Sequence, residues 1–146
     1  MITGRGIVRS GVVLALALAA ALAMPPVAQQ PGQAASTALE IPAEAKARPN
    51  PVPADEASVE NGRLLFASQC AMCHGIAGKG DGPLAMRLKL VLPDFSTEKQ
   101  QNSRTDGELF WVLTNGHGRM PGDGERLPEK SRWDLVNYLH TLLSSE

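Results

Sequence analysis

Cysteine and aromatic residues are scarce in this chain of 146 residues. Two cysteines are present, Cys70 and Cys73, and aromatic residues make up 4% of the sequence. A disulfide between these two cysteines would close a loop too small to stabilise a fold. An excess of positive charge is also missing, since 14 Lys and Arg stand against 15 Asp and Glu. This balance excludes the basic surface that nucleic-acid binding requires.

The apolar run near the N-terminus is too short to span a bilayer comfortably. It covers 13 residues, 12–24, whereas a spanning helix needs about 20. Two arginines precede the run, and Ala21 and Ala23 form a small-residue cleavage site. These features predict a secretory signal over residues 1–23, with an uncleaved membrane anchor as the alternative. We therefore expect the folded part to work outside the cytoplasm, in the periplasm.

Residues 24–57 lack apolar periodicity and are rich in proline. Seven of the eleven prolines of the chain lie in this segment. Such a composition predicts an extended linker of partly polyproline-like character. Two alternatives stay open for its second half: a disordered segment, or a strap that lies on the surface of the following domain.

Helical periodicity returns in residues 58–146, which we interpret as one all-α domain. The apolar spacing predicts three helices, over residues 58–70, 105–116 and 127–143. Ser58 is the expected N-cap of the first helix and Thr105 or Asp106 that of the second, while Pro128 lies in the first turn of the third. No stretch alternates like a strand. Three short helices with few aromatic residues bury little apolar surface, so a large apolar cofactor is expected to complete the core.

Both cysteines belong to the segment Cys70-Ala71-Met72-Cys73-His74. Three chemistries use close cysteine pairs. A redox dithiol of the thioredoxin type needs a preceding strand and a βαβ context, which are missing. A zinc site needs four ligands, and the sequence has no second cysteine pair or spaced histidine pair. Haem attachment needs two thiols at this spacing for the two vinyl groups and an imidazole as iron ligand, so C-x-x-C-H predicts a haem c site.

Four motifs make residues 58–143 resemble a small monohaem cytochrome c of the bacterial, mitochondrial-like kind. They are Gly62-x-x-x-Phe66, C-A-M-C-H-G, G-K-G-D-G-P, and G-R-M-P followed by a helix with Leu135 and Tyr138. The resemblance implies a domain of helices and Gly/Pro-rich loops wrapped around one covalent haem. It also implies that Gly62 and Phe66 cross the last helix at Leu135 and Tyr138. The carbonyl of Pro83 is implied as the partner of the proximal imidazole.

The expected haem site consists of Cys70 and Cys73 as thioether anchors, His74 as proximal ligand and Met120 as the second axial ligand. Once the methionines of the signal region and of the attachment motif are set aside, Met86 and Met120 remain. Met120 lies among glycines that allow close approach of the backbone to the porphyrin, and the resemblance places the axial methionine in this Met-Pro context. His117 is the competing ligand, three residues earlier.

A haem with both axial positions filled has no open site for a substrate, so we expect one-electron transfer and not catalysis. The expected partners are redox proteins and membrane respiratory complexes, without nucleic acid or a small-molecule substrate. Two alternatives stay open. One is a haem subunit permanently docked on a larger exported oxidoreductase or respiratory complex. The other is a haem enzyme or gas sensor with an open sixth coordination position.

Overall fold

The computed structural model describes residues 39–143, which form seven helices and one small antiparallel pair of strands. The predicted secretory signal, residues 1–23, lies outside the described residues. The elements are α1 Ala43–Lys46, α2 Glu56–Leu65, a π-helical turn Phe66–Cys70, α3 Ala71–His74, α4 Pro83–Leu88, α5 Glu98–Gln101, α6 Asp106–Asn115, β1 Gly116–His117, β2 Met120–Pro121 and α7 Glu129–His140. Within this part of the chain, no helix has the length and apolar character that crossing a membrane requires.

The fold is all-α, as predicted, apart from the pair β1–β2 that the sequence did not indicate. Each strand has two residues, and Gly116 pairs with Pro121 while His117 pairs with Met120. Strands of this length show no alternating pattern, because alternation becomes visible only over four or more residues.

Helix α2 begins earlier than predicted, and its expected cap is wrong. The helix starts at Glu56, and the carboxylate of Asp55 accepts a hydrogen bond from the backbone N–H of Ser58 at 2.8 Å. Ser58 is buried instead, and its hydroxyl donates to the carboxylate of Asp134 at 2.6 Å. Asp55 and Ser58 are both good capping residues three positions apart, so only the packing against α7 distinguishes their roles.

The ends of α6 lie where the sequence predicted them. Thr105 is the N-cap, and its hydroxyl and the side chain of Glu108 form a reciprocal capping box. Gly116 ends the helix with a φ of 77°, a conformation that few other residues adopt. Pro128 stands at the N-cap of α7, one position before the first helical residue.

Helices α2 and α7 cross at Gly62, which confirms the contact implied by the resemblance. A Cβ atom at Gly62 would overlap the backbone carbonyl of Asp134 and lie 2.7 Å from Cβ of Tyr138. One turn later, the rings of Phe66 and Tyr138 pack with their centroids 5.4 Å apart. Leu135 is 1% exposed and belongs to the same apolar core.

Residues 39–55 lie against α6 and α7 as a strap. The guanidinium of Arg48 lies over the rings of Phe110 and Trp133, which stack on each other with centroids 3.9 Å apart. The amide of Asn137 in α7 donates to the carbonyl oxygens of Val52 and Pro53. Of the two alternatives for this segment, the structure therefore shows the strap on the surface of the domain. The division of the chain at residues 23 and 57 stays a prediction.

Candidate functional site

The two cysteines lie where an irregular helical turn joins α2 to α3. Cys70 ends the π-helical turn, in which the N–H of Ala71 donates to the carbonyl of Phe66, five residues earlier. Cys73 and His74 follow in α3, and Gly75 ends that helix with a φ of 76°. Turns of the π type are rare and occur frequently at functional sites. No feature of the sequence predicted this turn, because residues 66–70 have ordinary helix-forming character.

The thiol groups of Cys70 and Cys73 are free and half-buried. Burial raises the pKa of Cys70 to about 11, with the nearby carboxylate of Asp123 adding to the effect. A redox dithiol works through a thiolate whose pKa is lowered by its surroundings. Because the surroundings of Cys70 do the opposite, the structure argues against a thioredoxin-like function for this pair.

The imidazole of His74 lies between two aromatic rings. Its centroid is 6.4 Å from that of Phe66 and 5.5 Å from that of Phe95. Burial lowers the pKa of His74, so the ring is held in the neutral form that binds metals. Its Nδ1 atom is buried and has no hydrogen-bond partner among the described residues.

The hydrogen bond implied between His74 and the carbonyl of Pro83 is therefore not formed. Pro83 is the first residue of α4, and carbonyl groups in a helix point along its axis toward the C-terminal end. Backbone hydrogen bonds instead hold the loop between α3 and α4 against the end of α3. The N–H of Gly80 donates to the carbonyl of His74 at 2.8 Å, and that of Gly82 to the carbonyl of Cys73 at 3.1 Å.

Phe95 is a site residue that no sequence pattern predicted. It lies in an irregular loop, where apolar periodicity cannot mark an inward-facing side chain. Its backbone N–H donates to the carbonyl of Gly78 at 2.8 Å, and this bond ties the loop to the segment that follows His74. Loop residues of this kind are found only when the long-range hydrogen bonds are known.

Met120 and His117 lie directly opposite each other in the β1–β2 pair. The turn between them has two residues, Gly118 and Arg119, and Gly118 has a φ of 57°. Glycine at the first central position is typical of a type II′ hairpin turn. Since opposite residues of an antiparallel pair share one face, both side chains line the same cavity. Met120 is half-buried, whereas His117 is exposed.

One largely apolar cavity of about 310 Å³ brings most of the predicted site residues together. Cys70, His74 and Met120 line it, together with His117. Its apolar walls come from Leu39, Phe66, Val91, Leu92, Pro93, Phe95, Leu109, Val112, Leu113, Leu135 and Leu139. Cys73 lines an adjoining cleft, which also includes Cys70, His74 and Met120.

The remaining candidates are directed away from this cavity. Met86 is 69% exposed and Met72 is 59% exposed, and neither lines the cavity or the adjoining cleft. His140 is exposed on α7, where its ring nitrogens contact Asp106 at 2.8 Å and Gln101 at 3.2 Å. Among the methionines of residues 39–143, Met120 is therefore the one that lines the cavity.

The residues of the cavity fit a haem c group. Two free thiols have the spacing of the two vinyl groups, and the imidazole of His74 lines the same cavity. A thioether sulfur, that of Met120, lines the same apolar cavity. Neutral imidazole and thioether are the axial ligand types of cytochromes c.

Fold and site together define a c-type cytochrome. The chain belongs to the family described as cytochrome c oxidase, cbb3-type, subunit III, which matches its residues 57–139. As in this family, the protein carries one covalently bound haem c and takes part in electron transport. The residues that hold this haem, Cys70, Cys73, His74 and Met120, stay a prediction from the sequence.

Curated relatives include both a subunit of an oxidase and a small cytochrome. The chain is 30% identical over 89 residues to the cbb3-type cytochrome c oxidase subunit CcoP of Azospirillum brasilense, covering 60% of this chain and 30% of the relative. It is 30% identical over 83 residues to cytochrome c6 of Bumilleriopsis filiformis, covering 57% of this chain and 90% of the relative. The chain thus spans under a third of the first relative and most of the second.

A solved structure has a similar fold. It is the reducing HAO-like protein complex of Kuenenia stuttgartiensis, which aligns with a TM-score of 0.56 and 26% sequence identity. The alignment covers 64% of this chain and 47% of that chain. The cytochrome domain is thus similar to part of a larger protein as well as to nearly the whole of a small one.

Proposed function

We propose that the protein transfers single electrons between exported or membrane-bound redox partners through a six-coordinate haem c. In this proposal Cys70 and Cys73 are the thioether anchors, and His74 and Met120 are the axial ligands. The observation that supports it most is the cavity itself. Side chains from α3 and from the β1–β2 pair, 46 residues apart in the chain, line the same apolar space.

The residues around the cavity favour electron transfer over catalysis. A haem c supplies one-electron chemistry at its iron when both axial positions are filled. Phe66, Phe95 and Leu135 exclude water from the cavity wall. Thioether ligation and burial both stabilise the ferrous form and raise the reduction potential. Filled axial positions leave no place for a substrate, so the protein is a carrier and not an enzyme in this proposal.

Exposed apolar side chains next to the attachment motif are suited to a short-lived partner contact. Met72 is 59% exposed, Ile76 is 82% exposed, and Val91 is fully exposed while it also lines the cavity. Weak electron-transfer complexes bury a small area, under about 1,200 Å². A few exposed apolar side chains beside the cavity are enough for a contact of that size.

A second candidate is a cytochrome subunit that stays docked on a larger oxidoreductase. The similarity to about a third of an oxidase subunit favours it. Gel filtration of the purified holoprotein separates the two candidates. A monomer that is reduced by a free donor protein supports the carrier, whereas co-purification with stoichiometric partner chains supports the docked subunit.

Absorption spectroscopy of three variants tests the axial ligand. Wild-type ferric protein is expected to have the weak near-infrared sulfur-to-iron charge-transfer band. Met120→Ala should abolish that band, while His117→Ala and the exposed control Met86→Ala should retain it. If His117→Ala abolishes the band and Met120→Ala retains it, the assignment of Met120 is wrong and the expected high potential is lost with it.

The thioether anchors are tested by the stability of the attachment. Acid–acetone extraction should leave the haem with wild-type protein. Cys70→Ala and Cys73→Ala should each sharply lower the yield of protein with bound haem, because the domain depends on the cofactor as part of its core. Haem that passes into the solvent from wild-type protein would overturn the proposed attachment.

Export is part of the proposal and has its own test. It is supported by the apolar run, the basic residues and the cleavage pattern of residues 1–23. Mass spectrometry of the protein isolated from the periplasmic fraction should give a chain that begins at Met24. An N-terminus at Met1 in the membrane fraction would support the uncleaved anchor instead.

A further inference from the structure

Arg104 is the one cationic side chain among the residues that line the main cavity. It is half-buried, and it lies between α5 and the cap of α6. The cavity wall around it is largely apolar, with Leu109 and Val112 following on α6. Gln100 is the neighbouring polar side chain on this wall. A guanidinium in such surroundings is costly unless an anion or hydrogen-bond acceptors compensate its charge.

Among the other arginines of residues 39–143, Arg87 and Arg119 also lack a partner but are exposed, whereas the remaining four have partners. Arg132 is also shielded from solvent, but it donates to the hydroxyl of Thr114 at 2.9 Å and lies over the ring of Phe110. The exposed Arg63 pairs with Glu60 at 2.7 Å. Within the described part of the chain, Arg104 makes no ion pair, side-chain hydrogen bond or cation–π contact. The side chain of Gln100 likewise has no hydrogen bond there.

We propose that Arg104, assisted by Gln100, binds a propionate of the haem. The inference rests on the proposed function, because it takes the cavity as the haem site. A haem carries two carboxylates, and these are the anions that enter the cavity with it. Arginine suits such a role, since its guanidinium presents several N–H donors in a plane that matches a carboxylate. The amide of Gln100 supplies a further donor.

Arg119 is the rival for this role, and the structure favours Arg104. Arg119 lies at the exposed tip of the β1–β2 hairpin and lines the adjoining cleft instead of the main cavity. A charge in water contributes little to binding because water screens it. The half-buried charge of Arg104 acts through apolar surroundings and is screened much less.

The proposal predicts the sign of an effect on the reduction potential. A positive charge near the haem disfavours the ferric form, which carries one more positive charge than the ferrous form. Removing that charge should therefore lower the potential. We expect Arg104→Gln to shift the ferrous–ferric equilibrium about tenfold toward ferric, which corresponds to about 59 mV for a one-electron couple.

Redox titration of the holoprotein, followed by absorbance, tests this prediction against a charge-matched control. Arg87→Gln removes the same charge from an exposed position that lines neither cavity nor cleft, and it should shift the equilibrium less than twofold. Arg104→Lys keeps the charge and should restore most of the wild-type potential. Rescue by lysine distinguishes binding of an anion from a merely structural effect of the substitution.

A failure of the proposed function and a failure of the inference on Arg104 give different results. If wild-type protein has no covalent haem, the proposed function itself is wrong. If wild-type protein has the haem and its near-infrared band, but Arg104→Gln titrates like Arg87→Gln, only the inference on Arg104 is wrong. A tenfold shift in Arg119→Gln, with none in Arg104→Gln, would assign the propionate to Arg119. If Arg104→Gln yields no holoprotein, Arg104→Lys decides: a near-wild-type potential supports the proposal, and a full tenfold shift overturns it.

Discussion

The helix crossing at Gly62 and the cavity beyond the end of α2 differ in how completely protein atoms fill them. At the crossing, Gly62 packs against the backbone of α7, and no room remains even for a methyl group. Beyond the C-terminal end of α2, the π-helical turn and α3 border an apolar cavity that is lined by His74 and Met120. Protein atoms thus complete the helix crossing, whereas haem c is needed to complete the cavity.

The buried carboxylate of Asp134 lies at the helix crossing and has its partners within the protein. At the crossing, the carboxylate of Asp134 is fully buried and accepts hydrogen bonds from Ser58 at 2.6 Å, Asn61 at 2.6 Å and Lys130 at 2.8 Å. Buried polar groups are stable when every one of them has a partner. Protein atoms alone therefore satisfy the buried carboxylate of Asp134 at the crossing.

The largest effect is expected for Phe66→Ala, because Phe66 contributes to both the helix crossing and the cavity wall. Its ring contacts Tyr138 at the crossing and lines the cavity beside His74. Removing a buried phenylalanine ring should lower the free energy of unfolding by about 3–5 kcal/mol. Urea unfolding of the holoprotein measures this. The exposed neighbour Leu64 is the control, and Leu64→Ala should change the stability by less than about 0.5 kcal/mol.

Gly62→Ala should damage the crossing and leave the haem spectrum unchanged. Its methyl group would meet backbone atoms of Asp134, which cannot move aside as a side chain can. We expect a loss of about 3 kcal/mol, at the upper end of the usual cost of overpacking. The control is Gly118→Ala, which meets nothing within 4 Å but has a φ of 57°. Its strain should cost about 1 kcal/mol, and an equal loss in both variants would contradict the tight crossing.

The pH dependence of stability should reveal the charge of Asp134. Burial raises the pKa of this carboxyl, but the hydrogen bonds from Lys130, Ser58 and Asn61 outweigh that effect and lower the pKa below its usual value. A lowered pKa stabilises the fold above the pKa of the unfolded chain, about 3.9, and this stabilisation is lost as the pH falls further.

Asp134→Asn removes this contribution. At neutral pH the variant should be about 2 kcal/mol less stable than wild type, a typical value for hydrogen bonds to a charged group. The difference in urea unfolding should shrink as the pH falls from about 5 to 2, because the wild-type carboxyl then becomes protonated. A difference that stays constant over this range would show that Asp134 does not stabilise the crossing through its charge.

The smallest effect is expected for Arg48 in the strap, which contacts neither Gly62 nor the residues predicted to hold the haem. Arg48→Gln removes the guanidinium that lies 4.7 Å from the ring centroid of Phe110 and 5.1 Å from that of Trp133. Because Arg48 is exposed, the loss should be about 0.5–1 kcal/mol. Arg48→Lys keeps a cation there and should lose less, whereas equal losses in both would assign the effect to packing alone.

The sequence predicted the crossing better than the surroundings of the haem site. Gly62 and Phe66 lie four residues apart on one helix face, and their partners belong to another regular helix, so the contact implied by the resemblance could be assigned residue by residue. The π-helical turn has no such signal. Phe95 is also brought to His74 by a loop, where the chain direction depends on backbone hydrogen bonds that composition does not encode.

The strap also was beyond prediction from local sequence. Its proline content suggested either disorder or surface packing, and both fit the same residues. The deciding contacts are long-range. Asn50 donates to Asn137, 87 residues away, and Val52 and Pro53 accept from the same side chain. No local rule connects positions so far apart.

The position of Leu39 sets a limit on where this cytochrome can be cut from its chain. The family match begins at residue 57, yet the wall of the main cavity includes Leu39. Gly107 in α6 also fits closely beneath the carbonyl of Arg48. A truncated protein that started at residue 57 would lack Arg48 and expose the rings of Phe110 and Trp133 to solvent. The transferable unit for fusion or surface display therefore includes Leu39.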